Sequence, residues 1–240
     1  MQVDDYTVGS RSRIKRFSHE ARLRKAVALL APRPRDRILD YGAGSGSLLK
    51  LLGEVEPAVE LFGYEPVHLD SIRENIGALC NLRGLSDSID EILAFRPNKI
   101  ACLELLEHLR PEDLDSTVAS FTRLLEPGGR VVVSVPVEIG PASLFKNVVR
   151  KLVNQPHRGI TPRNVLLSLV GMAGRIPRDL DEPYIASHIG FDYRSVERIT
   201  RRHGFRVKRS YSPVPFLGPL AASQVFFVLV RCGGSPILNG

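Results

Sequence analysis

"RILDYGAGSGSLLKLLG", residues 37 to 53, changes character twice within one short stretch. An apolar run closes on Asp40 and Tyr41; glycines then stand at alternate positions, Gly42, Gly44 and Gly46; leucines follow at helical spacing at 48, 49, 51 and 52. The first part reads as a short buried strand, the last as a helix that stops near Gly53, and the glycines as the loop between them. Glycine serves where a chain must turn sharply or bring its backbone close to a ligand. The spacing is G-x-G-x-G. The dinucleotide fingerprint asks for glycine at 47, where this chain has Ser47.

Working outward, the same alternation repeats. Leu23, Ala26, Val27 and Leu30 predict an amphipathic helix over 18 to 30, closed by Pro32 and Pro34, within an N-terminal helical segment of residues 1 to 35. "VELFGYE" reads as a second strand, and Leu69, Ile72, Ile76 and Leu79 give the next helix its face. Residues 80 to 98 mix strand and short-helix signals. "KIACLELL" is a strand with Glu104 near its carboxyl end, Leu114, Val118, Phe121 and Leu125 mark a helix, and "LLEPGGRVVVSVP" supplies a turn and a further buried strand. Strands alternating with helices predict an α/β fold, a doubly wound parallel sheet covered on both faces. Ligands of such sheets bind at the carboxyl ends of the strands.

The rhythm breaks between about 140 and 187. "ASLFKNVVRKLV" and "TPRNVLLSLVGMAGRI" read as two amphipathic helices, the second capped by Thr161 with Pro162 at its first position, so the segment is expected to be a helical cap over the site. A helix from "FDYRSVERITRRHGF" and two strands, "RVKRSYSPVP" and "SQVFFVLVR", complete the chain, and strands with no helix between them pair antiparallel. One main domain of 240 residues is expected.

Acids frame the glycine loop. Asp40 ends the first strand, and Glu65 ends the second, nineteen residues after Gly46, where a carboxylate accepts hydrogen bonds from ribose hydroxyls. Two carboxylates beside the loop repel a pyrophosphate and attract a sulfonium and an α-amino group, a pattern that suits S-adenosylmethionine.

"ILDYGAGSGSLLKLL", "GYEP", "ACLELLEHL" and "LLEPGGRVVVSVP", in this order and spacing, resemble the class I S-adenosylmethionine-dependent methyltransferases. The match is good over roughly 36 to 137 and moderate over "HIGFDYRSVERITRRHGF". It is similar to the ubiquinone-biosynthesis (UbiG-type) O-methyltransferases and the type 11 and type 23 small-molecule groups. The resemblance implies a Rossmann-like, mostly parallel seven-stranded sheet with the last strand reversed. It also implies that Asp40, Gly42, Ala43, Gly44 and Gly46 hold the methionyl half of the cofactor, that Glu65 and Pro66 hold the ribose, and that adenine contacts come from the third strand's end, Asp87 and Ser88. Leu103 and Glu104 then form the fourth-strand lip of the cleft.

Just beyond that lip, Glu104, Glu107 and His108 form E-x-x-E-H. Carboxylates and imidazole together suit Mg²⁺ or another divalent metal, which lowers the pKa of a bound hydroxyl. His188 in "SHIGFDY" is the candidate fourth ligand; in plant small-RNA 2′-O-methyltransferases, which this stretch resembles, a later histidine joins E-x-x-E-H around a metal. A metal-free reading makes His108 or His188, with Glu107, the general acid or base. A third reading leaves Glu107 and His108 at a helix start, shaping the pocket. The motifs of amide and base N-methylation and of cytosine C5 methylation are absent.

The methyl acceptor is read as a small molecule, methylated at oxygen, with Leu144, Phe145, Val148, Val149, Leu166, Leu167 and Leu169 of the cap suiting a lipid-like or aromatic group. The alternatives are RNA methylation and a non-catalytic cofactor-fold binding protein. The formal charge of +7 would suit RNA, yet aromatics are only 7% of residues and tryptophan is absent, so stacking platforms are few and nucleic acid is not the expected partner. "FKNVVRKLV" is the candidate for peripheral contact with an anionic membrane. No apolar run reaches the roughly 20 residues that cross a bilayer, no signal-peptide core precedes residue 18, and three scattered cysteines make no disulfide framework, so the cytoplasm is the expected location.

Overall fold

The structure is a computed structural model that describes residues 13–67, 69–141, 161–178, 185, 188–213, 218–219 and 222–231. In chain order the elements are α1 (Arg13–Leu30), β1 (Arg37–Tyr41), α2 (Ser47–Val55), β2 (Glu60–Tyr64), α3 (Leu69–Ile76), β3 (Leu82–Ser86), α4 (Ile89–Phe95), β4 (Lys99–Leu103), α5 (Pro111–Leu124), β5 (Arg130–Pro136), α6 (Pro162–Leu169), α7 (Tyr193–Arg202), β6 (Phe205–Ser212) and β7 (Gln224–Arg231). Single 3₁₀ turns stand at Leu106–His108 and Ala173–Arg175.

The strands form one seven-stranded sheet in the order β3-β2-β1-β4-β5-β7-β6. The first five pair in parallel, and β7 lies antiparallel between β5 and β6. The Rossmann-like sheet with a reversed last strand is therefore present. The order reverses direction at β1, so β1 and β4 flank the switch point where open sheets take their ligands.

Alternation along each strand divides the core. Ile38, Leu61, Ala101, Val132 and Phe226 face α1, α2 and α3 and pack on Leu23, Leu30, Leu49, Leu52 and Ile72. Their neighbours Leu39, Phe62, Cys102, Val133 and Phe227 face the other way, onto Ile92, Val118, Phe121 and Val196. Both faces are dry, which is why the central strands read as unbroken apolar runs.

Several boundaries differ from the sequence expectations for local reasons. α2 runs through Gly53 to Val55. α3 ends at Ile76 because Gly77 takes a left-handed φ of 58°, and Leu79 instead packs beside Gly53. β4 ends at Leu103, since Glu104 has φ 52° and turns the chain out of the sheet; Leu105 and Leu106 belong to the turn that follows. Thr161 caps α6 as expected, its hydroxyl accepting from the Asn164 N–H at 3.2 Å. The first expected cap helix, with Leu144 to Val149 and "FKNVVRKLV", lies outside the described residues. On α6 the buried residue is Ser168, whereas Leu166 is 59% exposed, so Leu166 does not line an enclosed pocket. Among the described residues no helix is long and apolar enough to cross a membrane.

Candidate active site

The glycine loop joins β1 to α2 and folds against β2. Gly42 and Ala43 both donate N–H to the Tyr64 carbonyl, at 2.8 and 3.0 Å, and the Gly44 N–H donates to Glu65 Oε2 at 3.0 Å. All three glycines have left-handed φ, 80°, 53° and 74°. Two of them are also crowded: a Cβ on Gly42 would meet Leu105 Cδ2 at 2.9 Å, and one on Gly46 would meet Ile76 Cγ2 at 2.4 Å. Beside Gly44 the space is open within 4 Å. That is the one loop glycine a ligand can approach from the Cα side.

Asp40 and Glu65 are both buried at the loop. Burial, with the Glu65 charge nearby, pushes the Asp40 carboxyl up to about 7. A buried acid held in this way favours a cationic ligand group, and the sulfonium and ammonium of S-adenosylmethionine fit the charge. Glu65 also accepts from the Val67 N–H at 3.2 Å, which leaves it fixed at the lip of β2. Pro66 and Asp87 line a cavity of about 520 Å³ off the ends of β2 and β3, and Ser88, whose N–H donates to Ser86 Oγ at 2.9 Å, directly precedes α4. The cofactor candidates thus fall along one edge of the sheet, from Asp40 through the loop to Asp87.

The fourth-strand lip is built differently. Leu103 pairs with Ser134 of β5, and the kink at Glu104 lets Ser134 Oγ donate to Glu104 Oε1 at 3.0 Å. Glu104 Oε2 makes an ion pair with Arg22 of α1 at 2.8 Å. Arg22 also donates to His19 Nδ1 at 2.8 Å. Glu104 is therefore engaged by α1 and β5; it borders the group formed by Glu107, His108 and His188 closely enough to bear on the Glu107 carboxyl.

Those three residues offer ligand atoms that all lie within 4.8 Å of one another. Glu107 is fully buried, and both its carboxylate oxygens lack a hydrogen-bond partner among the described residues. Burial and the neighbouring Glu104 raise its pKa well above the usual carboxylate value. His108 Nδ1 lies 2.8 Å from the Ile185 carbonyl. A carbonyl only accepts, so Nδ1 carries the proton and Nε2, 3.9 Å from Glu107 Oε1, carries the lone pair. Burial also lowers the His108 pKa, in keeping with a neutral ring. The rings of His108 and His188 meet edge-on with centroids 4.9 Å apart. Such a cluster of two imidazoles and an unpartnered buried carboxylate has the composition of a divalent-metal site, with the second nitrogen of one histidine anchored to a backbone carbonyl.

Three contributors are absent from the sequence motifs. Arg22 comes from α1; Arg178 donates to the Glu107 carbonyl and stacks 5.5 Å from the Phe191 ring; and Glu138, 2% exposed, stands 3.9 Å from His188 Nδ1. Glu138 lies two residues past β5, the strand beside β4, and its place at a carboxyl strand end was the signal that could have marked it.

The family model described as "Methyltransferase domain" matches residues 14–208. Among solved structures, an O-methyltransferase family protein from Burkholderia thailandensis is similar at 13% identity and TM-score 0.59, covering 92% of this chain and 57% of that one. Magnesium protoporphyrin IX methyltransferase from Synechocystis PCC 6803, solved with bound SAH, gives 13% identity and TM-score 0.57 over 93% of this chain and 89% of its own. The small RNA methyltransferase HEN1 gives 17% identity and TM-score 0.60 over 90% of this chain and 26% of that one. The chain thus spans little more than half of the Burkholderia protein and about a quarter of HEN1. No curated protein matches the sequence significantly. The family match over most of the chain, the seven-stranded sheet and the acid-framed glycine loop agree: this chain belongs to the methyltransferase domain family, as a class I S-adenosylmethionine-dependent methyltransferase.

Proposed function

We propose that the chain methylates a hydroxyl of a small-molecule acceptor, with Glu107, His108 and His188 holding a divalent cation at the acceptor side of the cleft. The observation that carries this reading is the fully buried Glu107 carboxylate, unpartnered among the described residues, inside a 4.8 Å cluster with two imidazoles. A buried carboxylate without a partner costs free energy, and a cation offsets that cost. When bound, the cation supplies Lewis acidity that lowers the pKa of an acceptor hydroxyl.

The chain's own groups carry the rest. Asp40, the open Cα face of the loop at Gly44 and Glu65 hold the methyl donor at the switch point, and the lip at Leu103 and Glu104 separates donor from acceptor. Transfer is a displacement in which the oxygen lone pair forms the new bond to carbon and the old carbon–sulfur pair returns to sulfur, leaving a thioether. Alignment of the two reactants supplies much of the acceleration. With the cation bound, the acidified hydroxyl would release its proton to water; without a cation, the free imidazole of His188 would be the base that takes it.

On the described part of the cap, exposed Leu166, Val170 and Met172 stand near exposed Arg163 and Arg175. This supports an acceptor of lipid-like character met at an anionic surface; salt-sensitive co-sedimentation with anionic vesicles tests it. RNA is the second reading. It is favoured by the similarity to HEN1, a small RNA methyltransferase, and it predicts RNA binding that falls steeply with salt.

The deciding experiment combines cation titration with a mass screen of candidate acceptors in the presence and absence of chelator. The reading expects one bound divalent cation, lost in Glu107→Gln, and turnover abolished by chelation. Full turnover in chelator would overturn it.

A further inference from the structure

His188 enters the site from the segment between α6 and α7, a few residues before Asp192 caps α7. Its Nδ1 faces Glu138 Oε1 at 3.9 Å, longer than a direct hydrogen bond and within a small rotation of either side chain. The Glu138 side chain is 1% exposed, so its carboxylate sits in a dry environment that rewards a charged partner. The segment that carries it is held on both sides: the Val137 N–H donates to the Ser223 carbonyl at 3.0 Å, and the Gly140 N–H donates to the Ser168 carbonyl at 2.9 Å. On the histidine side, the Phe191 N–H donates to the His188 carbonyl at 3.1 Å, and Ile189 and Phe191 are buried. Hydrogen-bonded backbone at 137–140 and at 188–191 thus presents a carboxylate to one nitrogen of an imidazole.

The neighbouring histidine shows the same device with a different acceptor. His108 has its Nδ1 proton on a backbone carbonyl, which frees the opposite nitrogen for the site. We propose that Glu138 does this for His188: it is a positioning residue whose carboxylate accepts the Nδ1 proton, fixing ring direction and tautomer so that Nε2 presents its lone pair to the Glu107–His108 cluster. A carboxylate behind an imidazole also makes the ring a stronger ligand or base. Glu104 and Glu138 then divide the work: the first is tied to Arg22 and Ser134, and the second backs the site.

This role rests on the proposed cation site for one of its readouts and is independent of it for the other. In the cation-free protein, nitrogen NMR of labelled histidine reads the tautomer directly. Wild type should show His188 protonated at Nδ1; Glu138→Leu, which keeps the bulk and removes the acceptor, should shift the population toward Nε2 protonation, and Glu138→Gln, which keeps an acceptor, should fall between. With Mn²⁺ as the probe, Glu138→Leu should weaken binding about 10- to 100-fold while S-adenosylmethionine affinity, read on the same sample, stays at the wild-type value and certifies the fold. An unchanged tautomer in Glu138→Leu overturns the proposal. Absence of Mn²⁺ binding in wild type, with the tautomer shift still seen, overturns the cation reading and leaves Glu138 as the residue that orients His188 as a base.

Discussion

The two halves of the cleft solve different problems with different materials. At the β1–β2 end, two adjacent strand ends do the work: three left-handed glycines and the acids Asp40 and Glu65 make a surface from backbone geometry. At the β4–β5 end, Glu107, His108, Glu138, His188 and Arg22 come from four stretches of chain, brought together by packing. One half is a local motif and the other a tertiary assembly. A substitution in the first should therefore damage cofactor binding alone, and one in the second should leave cofactor binding intact while damaging turnover.

The strongest way to break this contrast is Glu107→Gln. We expect kcat to fall about a hundredfold or more with S-adenosylmethionine affinity unchanged by calorimetry; a parallel loss of cofactor affinity would merge the two halves. The cation-free variant should also melt higher than wild type above about pH 5. The Glu107 carboxyl is raised in the folded state, so the folded protein holds a proton that the unfolded chain has released, and stability falls as pH rises through that window. Glutamine removes the dependence.

Next in size is Asp40→Asn, expected to weaken S-adenosylmethionine binding about a hundredfold, or about 3 kcal/mol, with Mn²⁺ binding at the other end unaffected. Gly46→Ala tests the backbone itself. With φ at 74° and Ile76 2.4 Å from the added methyl, it should cost about 2–3 kcal/mol in urea unfolding. The smallest effect belongs to Arg22→Ala, which removes a half-screened partner from Glu104 and should cost about 1–2 kcal/mol of stability. Were it to abolish cofactor binding outright, α1 would belong to the cofactor half as well.

The same contrast governs what was legible in the sequence. The β1–α2 unit, Asp40 and Glu65 could be read because strand, loop and helix each leave a periodic or compositional signature within a few residues. β3 could not, because it lies at the sheet edge with Arg83 exposed and Gly84 inside it, so its apolar signal is diluted. The lip was half legible. E-x-x-E-H marked the location, yet its apolar neighbours Leu105 and Leu106 look like strand continuation and sit in a turn set by the kink at Glu104. Its place just past a strand end marks Glu138 only as one acid among several, since its pairing depends on a histidine fifty residues later. The cluster that joins Glu107 to His188 is likewise a property of packing, whereas the pairing of Glu104 with α1 depends on a helix at the far end of the chain.

The buried Asp40 carboxyl has a thermodynamic consequence for the cofactor itself. With its pKa near 7, it holds a fraction of a proton at neutral pH. A cationic ligand favours the carboxylate, so binding expels that fraction into the medium. The measured heat of association should then vary linearly with the ionisation enthalpy of the buffer, the slope counting protons released. The slope should shrink above pH 8, where Asp40 is already ionised, and disappear in Asp40→Asn. Proton-coupled binding of this kind is the expected outcome, with S-adenosylmethionine affinity that climbs toward neutral pH and levels off above it.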